Sequence, residues 1–80
     1  MTNTGINTGY DVYFEDTGET IEFFTNNLGD AYRIAKKAVR ETLRPVSINK
    51  CNEECYVEPD GTLYETVEFI SYKKIKTIEP

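Results

Sequence analysis

Cys51 and Cys55 are the first candidates for a reactive or metal-binding site. They lie four apart in CNEEC and are the only cysteines of the chain. The spacing differs from the Cys-x-x-Cys motif of thiol redox proteins. A structural zinc site needs four ligands, but the chain has no histidine, and Glu53 and Glu54 are the only carboxylates between the thiols. On a strand the two thiols are about 13 Å apart, too far for a disulfide, whereas on a helix they are about 6 Å apart. We therefore predict two buried, reduced cysteines and no metal or cofactor.

The sequence offers few other candidates for catalysis. Nucleophilic catalysis needs a base beside the nucleophile, and the usual base, histidine, does not occur. The carboxylates occupy alternating positions of predicted strands, a pattern typical of a solvated sheet face. No phosphate-binding glycine loop or EF-hand loop is present in the sequence. We therefore predict that the protein is not an enzyme.

Period-two alternation predicts a hairpin over YDVYFEDTGETIEFFT, residues 10–25. A two-residue turn at Thr17-Gly18 places Val12 opposite Phe23. This register gives the hairpin one apolar face, because a shift by one residue mixes the two faces. The residues of that face are Val12, Phe14, Ile21 and Phe23.

The next segment, NNLGDAYRIAKKAVRETLRP, is predicted as a helix. Asn26 or Asn27 can cap its first turn, and Pro45 ends it. Its apolar residues recur at three- and four-residue steps and predict one buried stripe. The stripe consists of Leu28, Ala31, Ile34, Ala35, Ala38, Val39 and Leu43.

The last part of the chain is predicted as a second hairpin. Pro59-Asp60-Gly61 is a favourable turn, because proline presets one dihedral angle and glycine accepts the left-handed one. Strands over residues 46–57 and 63–75 then pair so that Cys51 lies opposite Phe69.

The order of elements predicts a two-layer α+β fold, in which an antiparallel sheet from two hairpins (ββαββ) carries one helix on one face. We predict a single domain over residues 10–75. Residues 1–9 are predicted as a flexible N-terminus, and residues 76–80 as a short, loose tail.

The net charge and the N-terminal sequence restrict the possible partners and the cellular location. The formal net charge of −5 opposes tight, sequence-independent binding of nucleic acid and is compatible with a basic protein partner. MTNTGINTG has neither the basic residues nor the apolar stretch of a secretory signal, and no apolar run is long enough to span a membrane. We expect a cytoplasmic location, where thiols stay reduced.

Two surfaces are candidate binding sites. Aromatic and acidic side chains on the strands form a predicted partner-binding face that could also serve as a dimer interface. Its members are Asp11, Tyr13, Glu15, Glu22, Phe24, Tyr64, Glu68 and Tyr72. The alternative is a basic face of the helix, suited to phosphate or an acidic partner. Its members are Arg33, Lys36, Lys37, Arg40 and Arg44.

The run YDVYFEDTGETIEFFT followed by NNLGDAYRIAKKAV resembles small proteins of phages and mobile elements, including several anti-CRISPR proteins. In these proteins a hairpin leads through a polar turn into an alanine-rich helix, and further strands follow. The resemblance covers roughly residues 10–75 and lies in the layout. It implies a stoichiometric inhibitor that blocks a nucleic-acid-binding surface without chemistry.

The sequence thus predicts a small, acidic, non-enzymatic protein-binding module, an anti-CRISPR-like inhibitor that occupies a basic surface of a nucleoprotein or nuclease. The alternatives are a nucleic-acid-binding module that uses the basic helix face, and a self-associating structural module such as a homodimer.

Overall fold

The computed structural model describes residues 3–80, except for the side chains of residues 63–67 and 69. It contains one antiparallel sheet with strand order β2-β1-β3-β4 and one helix between β2 and β3. The predicted α+β fold with ββαββ order is therefore confirmed. The elements are β1 (Thr4–Phe14), β2 (Thr20–Thr25), α1 (Leu28–Thr42), β3 (Val46–Val57) and β4 (Leu63–Ile78).

The core lies between α1 and the two central strands. Val12 of β1 and Ile48 of β3 form a pair in the sheet register, and both side chains are fully buried. Ala31 and Ala35 face them from α1, and their small side chains allow the helix backbone to approach the sheet closely. Burial of a side chain such as Ile48 contributes about 1.5–3 kcal/mol relative to an exposed one. The remaining core residues are Phe14, Ala38, Val39 and Val46.

At the two ends of α1 the caps are well defined, but the predicted buried stripe does not extend to them. Asn27 is the N-cap, because its Oδ1 accepts the backbone N–H of Asp30 at 3.1 Å. At the other end Leu43 adopts the left-handed conformation with φ of 56° and donates its N–H to the carbonyl of Val39. Leu43 is 75% exposed, and Leu28 is also exposed, so their predicted burial is wrong. Both residues lie at the limits of α1, outside the buried stretch from Ala31 to Val39.

Both ends of the chain take part in the sheet. β1 begins at Thr4 rather than at Tyr10, and β4 continues to Ile78, which packs against the core. Residues 4–9, which the sequence places in a flexible N-terminus, belong to β1 in the structure. Their side chains have partners in β3 instead: the Thr8 hydroxyl, for example, donates to Oδ1 of Asn52 at 2.6 Å.

The first hairpin has a different register from the predicted one. Val12 pairs with Glu22, not with Phe23, and the connection spans residues 15–19. The Phe14 N–H donates to the Glu19 carbonyl at 2.9 Å, and this closes a longer loop. Two irregularities between β1 and β2 then shift the pairing. The predicted two-residue turn is therefore wrong.

In the second hairpin the turn is as predicted and the register is not. The Glu58 N–H donates to the Thr62 carbonyl at 2.9 Å, and Gly61 has φ of 92°. Cys51, however, pairs with Tyr72 rather than Phe69. β3 pairs with β1 without interruption, whereas its register with β4 shifts in four places. The additional residues belong to β4, which has 16 residues against 12 in β3.

The sheet is much longer than the helix. The molecule measures 50 × 19 × 16 Å. A helix of 15 residues spans about 22 Å, less than half of that length. Among the described residues, the core cluster that packs against α1 has no member from the distal part of the sheet. We call this part the arm; it consists of residues 4–9 of β1 and residues 51–72, which comprise the distal parts of β3 and β4 and the turn between them.

Candidate functional site

The sheet face opposite α1, called the open face here, contains a buried carboxylate. Asp11 alternates with the core residue Val12, so its side chain points to the other side of β1. Asp11 is only 7% exposed. Its Oδ1 accepts the Phe24 N–H at 2.8 Å, and its Oδ2 accepts the Tyr72 hydroxyl at 3.2 Å. This carboxylate therefore connects three strands, β2, β1 and β4.

Phe24 reaches the open face through an unusual backbone. Its φ of 55° lies in the left-handed region, which is rare for an aromatic residue. The ring comes so close to Gly9 that a Cβ on Gly9 would lie 2.5 Å from it. Only glycine therefore fits at position 9 beneath this ring.

A cavity of about 260 Å³ lies on the open face next to Asp11. It is bordered by a carboxylate, two tyrosines and an amide. The Tyr13 hydroxyl donates to Oδ1 of Asn49 at 3.1 Å, which fixes the amide against the ring. Burial and the nearby charge of Asp11 raise the pKa of Tyr72, although a hydrogen bond with Asn49 lowers it. The lining residues are Asp11, Tyr13, Gly18, Thr20, Asn49 and Tyr72.

The two cysteines lie on this same side of β3 and are free and buried, as predicted. Burial raises the pKa of Cys51 to about 12, and the charge of Asp11 adds to the effect. The Cys55 thiol donates to Oε1 of Glu53 at 3.4 Å, and the same oxygen accepts the Asn7 amide at 3.1 Å. Within the described part of the chain, no group of three or more His, Cys, Asp or Glu residues could hold a metal ion.

Glu15 lies at the end of the open face, just after β1. It accepts hydrogen bonds from the Lys74 ammonium and the Ser47 hydroxyl. The bond from Lys74 holds the pKa of Glu15 below its usual range, and the pKa of Lys74 is raised in return. The charge of Glu15 is therefore already paired within the protein.

The structure brings together some members of the predicted partner-binding face and separates others. Asp11, Tyr13, Phe24 and Tyr72 are grouped near the cavity, with Glu15 beside them.

Two of the predicted acids lie elsewhere. Glu22 pairs with Val12, and Glu68 pairs with Glu54, which itself pairs with Ile6. Paired residues share a face, and Val12 and Ile6 belong to the side of β1 that faces α1. The side chain of Tyr64 lies outside the described residues.

The predicted basic face of α1 is exposed, but its charges are partly compensated. Arg33 is 3.5 Å from Asp30, Lys37 is 4.0 Å from Glu41, and Lys36 lies over the Tyr32 ring. Arg40 is also exposed.

Arg44 does not belong with the other four basic residues. Its guanidinium binds both carboxylate oxygens of Asp16, at 3.1 and 2.9 Å, and donates to the Thr17 hydroxyl. It also stacks on the Phe14 ring, 3.8 Å from the centroid. The hydrogen bonds hold the pKa of Asp16 below its usual range and raise that of Arg44. Arg44 therefore attaches the first loop to the end of α1.

The fold concentrates the net charge at one end of the molecule. Residues 51–72 contain six acidic and no basic residues, and residues 1–9 contain no charged side chain. The rest of the chain has eight acidic and nine basic residues, so the arm carries −6 and the helix-bearing end +1. The arm acids are Glu53, Glu54, Glu58, Asp60, Glu65 and Glu68.

Asn49 and Gly9 are functional candidates that the sequence analysis missed. Asn49 is 5% exposed and Gly9 is buried, yet neither residue type is typical of a buried strand. Ser47 and Asn49 alternate with the core residues Val46 and Ile48 and are also buried, so both faces of this part of β3 are covered.

Comparison of the chain with protein-family models, curated proteins and solved structures gives no significant match. Among the described residues, no helix is both long and apolar enough to cross a membrane.

Proposed function

We propose that the protein is a non-enzymatic, protein-binding module that occupies a basic, nucleic-acid-binding surface of a partner and thereby inhibits it. The concentration of negative charge in the arm carries this proposal. The arm extends beyond the helix as three paired strands, so its charges are presented on an ordered scaffold. Complementary charge favours fast association with a basic surface.

Several arm carboxylates are available for a partner. The side chains of Glu58, Asp60 and Glu68 are exposed. Asp60 accepts the Thr62 N–H at 2.9 Å, and this bond holds its pKa below the usual range. Glu53, in contrast, is buried and hydrogen-bonded, so it contributes charge but no contact surface.

The density of charge in the arm approaches that of one nucleic-acid strand. From residue 51 to the turn at residue 60 the arm extends about 30 Å, so six charges correspond to roughly one per 5 Å. A DNA strand carries one charge per about 3.4 Å. A surface that binds a phosphate backbone could therefore accept the arm.

The arm also offers apolar contacts. Ile6 is 58% exposed and Ile70 is 50% exposed. Protein interfaces combine an apolar centre with a polar rim, and these two side chains among carboxylates fit that composition. The resemblance of the sequence layout to small phage inhibitors supports an anti-CRISPR-like role, for which we propose a reducing, cytoplasmic setting.

Charge reversal in the arm tests the proposal. Glu58→Lys with Glu68→Lys should abolish retention of the partner in an affinity pull-down from lysate treated with nuclease. Retention by the unaltered protein should decrease as salt is raised. Glu19→Lys with Glu79→Lys is the matched control, because it changes the net charge equally at exposed positions outside the arm.

The opposite pattern would contradict the proposal. If nuclease removes everything that the protein retains, and Lys36→Glu with Arg40→Glu abolishes retention, the protein binds nucleic acid through the basic helix face. If neither pair of substitutions matters and the protein elutes as a dimer, self-association is its function.

A further inference from the structure

The cavity on the open face contains a carboxylate with no counter-ion. Asp11 is almost fully buried, and no lysine or arginine of the described residues lies within 4.0 Å of it. Its hydrogen-bond donors, the Phe24 N–H and the Tyr72 hydroxyl, are neutral. Buried carboxylates usually have a cationic partner, because desolvation of an unpaired charge is costly.

The walls of the cavity are suited to a cation. Tyr13 and Tyr72 border it, and the faces of aromatic rings carry negative electrostatic potential that attracts ammonium groups. Asn49 and Thr20 add side-chain oxygens. Gly18 contributes no side chain to the lining, and its φ of 77° favours glycine at this position.

A cationic side chain interacts with the cavity residue Tyr13 but does not neutralise Asp11. Lys74 interacts with Tyr13, but its ammonium binds Glu15. The pair of Lys74 and Glu15 is neutral, so Asp11 supplies the net charge of the cavity. Cys51 lies beside Asp11 as a protonated thiol and adds no charge at neutral pH.

Size restricts the ligand to a small group. The volume of about 260 Å³ lies just below the range of about 300–1,000 Å³ that is usual for drug-sized ligands. It is ample for a single amine with its alkyl chain.

We propose that this cavity binds an alkylammonium group, with Asp11 as the counter-ion and Tyr13 and Tyr72 as aromatic walls. A lysine side chain of a partner protein or a free amine can supply the group. The inference depends on the cavity alone and not on the proposed function of the arm.

Titration with n-butylammonium, followed by amide chemical shifts, tests the proposal directly. We expect saturable shifts at Asp11, Asn49 and Tyr72 with a Kd in the millimolar range, as expected for so small a ligand. n-Butanol has the same chain without charge and should give no saturable shift. Saturation by n-butanol at the same concentrations, or no saturation by n-butylammonium, would overturn the proposal.

Substitutions locate the site. Asp11→Asn keeps an oxygen for the Phe24 N–H and should weaken n-butylammonium binding about tenfold or more, since the counter-ion is lost. Asp60→Asn removes the same charge from the arm and should leave the Kd within about twofold. Equal weakening by both variants would show that only net charge matters and would overturn the proposal.

Tyr72 provides a second test if Asp11→Asn does not fold. Its side chain is 61% exposed, so substitution should not disrupt the core. Tyr72→Leu removes the aromatic wall and should weaken binding about three- to tenfold, whereas Tyr72→Phe keeps the ring and should weaken it less. Binding that is unaffected by Tyr72→Leu would contradict the aromatic role.

A lysine-rich peptide distinguishes the two sources of the ammonium group. If a protein supplies it, the peptide should bind at least about tenfold more tightly than n-butylammonium, through added contacts with the arm. Glu58→Lys with Glu68→Lys should then remove this gain and leave n-butylammonium binding unchanged. A peptide that binds no more tightly than n-butylammonium indicates a free amine, and failure of the arm proposal leaves this result intact.

Discussion

Arg44 stabilises the contact between the first loop and the end of α1, because its guanidinium has both an anionic and an aromatic partner. We predict that Arg44→Ala lowers the midpoint of urea unfolding clearly more than Lys36→Ala does. Lys36 is exposed on the same helix and serves as the control. Equal effects of the two substitutions would show that the contacts with Asp16 and Phe14 contribute nothing.

The same contact makes stability dependent on pH. The pKa of Asp16 is lowered in the folded protein, so its stabilising effect is complete above the unfolded pKa of about 4. The effect is lost as the pH falls through the lower, folded pKa. The difference in urea midpoint between the unaltered protein and Arg44→Ala should therefore shrink between neutral pH and about pH 3. A difference that does not change with pH would assign the effect to the Phe14 contact alone.

Cys51 is predicted to be chemically inert in the folded state. With its pKa at about 12, its thiolate fraction near neutral pH is on the order of 10³-fold below that of an unperturbed thiol. Alkylation of Cys51 in a Cys55→Ala variant should be slow until the protein unfolds, as followed by mass spectrometry. Alkylation at the rate of a free peptide thiol would contradict the buried position.

Deprotonation of Cys51 at alkaline pH should also lower the free energy of unfolding. A thiol whose folded pKa is raised favours the folded state below its unfolded pKa of about 8.5–9, and this contribution is lost as the pH rises toward about 12. Cys51→Ala should lose less stability than the unaltered protein over that interval. An identical decrease in both proteins would assign the alkaline sensitivity to other groups.

At the scale of elements, the C-terminus of α1 carries strain that a substitution can relieve. Leu43 is left-handed and 75% exposed, so its side chain gains little from burial. Glycine adopts this conformation without the steric cost of a Cβ, which is about 1 kcal/mol. Leu43→Gly should therefore raise the free energy of unfolding by about 0.5–1 kcal/mol in urea titrations.

If Leu43 were buried, Leu43→Gly would lower the free energy of unfolding instead of raising it. Truncation of a core leucine costs about 2–5 kcal/mol, so the experiment separates the two positions clearly. Leu28→Gly is not an equivalent control, because position 28 begins the helix. Val39→Ala is a suitable comparison. Val39 is in the core, so this substitution should lower the free energy of unfolding.

At the scale of the whole molecule, the helix-covered end and the arm should differ in local stability. β3 crosses both regions, so one strand provides its own control. We predict that amide hydrogens at residues 46–49 exchange at least about tenfold more slowly than those at 53–57, because only the first group lies under the core. Equal protection along β3 would show that the arm unfolds only with the rest of the protein.

The sequence by itself determined the order of elements and their local signals. Asn26 or Asn27 is expected to cap the helix, and Asn27 does so; Pro59 to Gly61 form the predicted turn, and period-two alternation predicts the strands of the first hairpin. These features depend on residues close together in the chain, whose backbone preferences and periodicity act locally. Alternation likewise places both thiols on one face of β3, but the tertiary structure decides that this face is buried.

Tertiary structure decided the registers and everything that depends on them. The extra residues of β4 shift its pairing so that Tyr72, not Phe69, lies opposite Cys51, and only this brings its hydroxyl to Asp11. The shift depends on how each strand fits against the neighbouring strands of the twisted sheet. No local sequence pattern specifies that fit. Composition likewise gave the net charge of −5, but only the pairing of residues 4–9 with β3 showed that an arm of charge −6 extends beyond the helix.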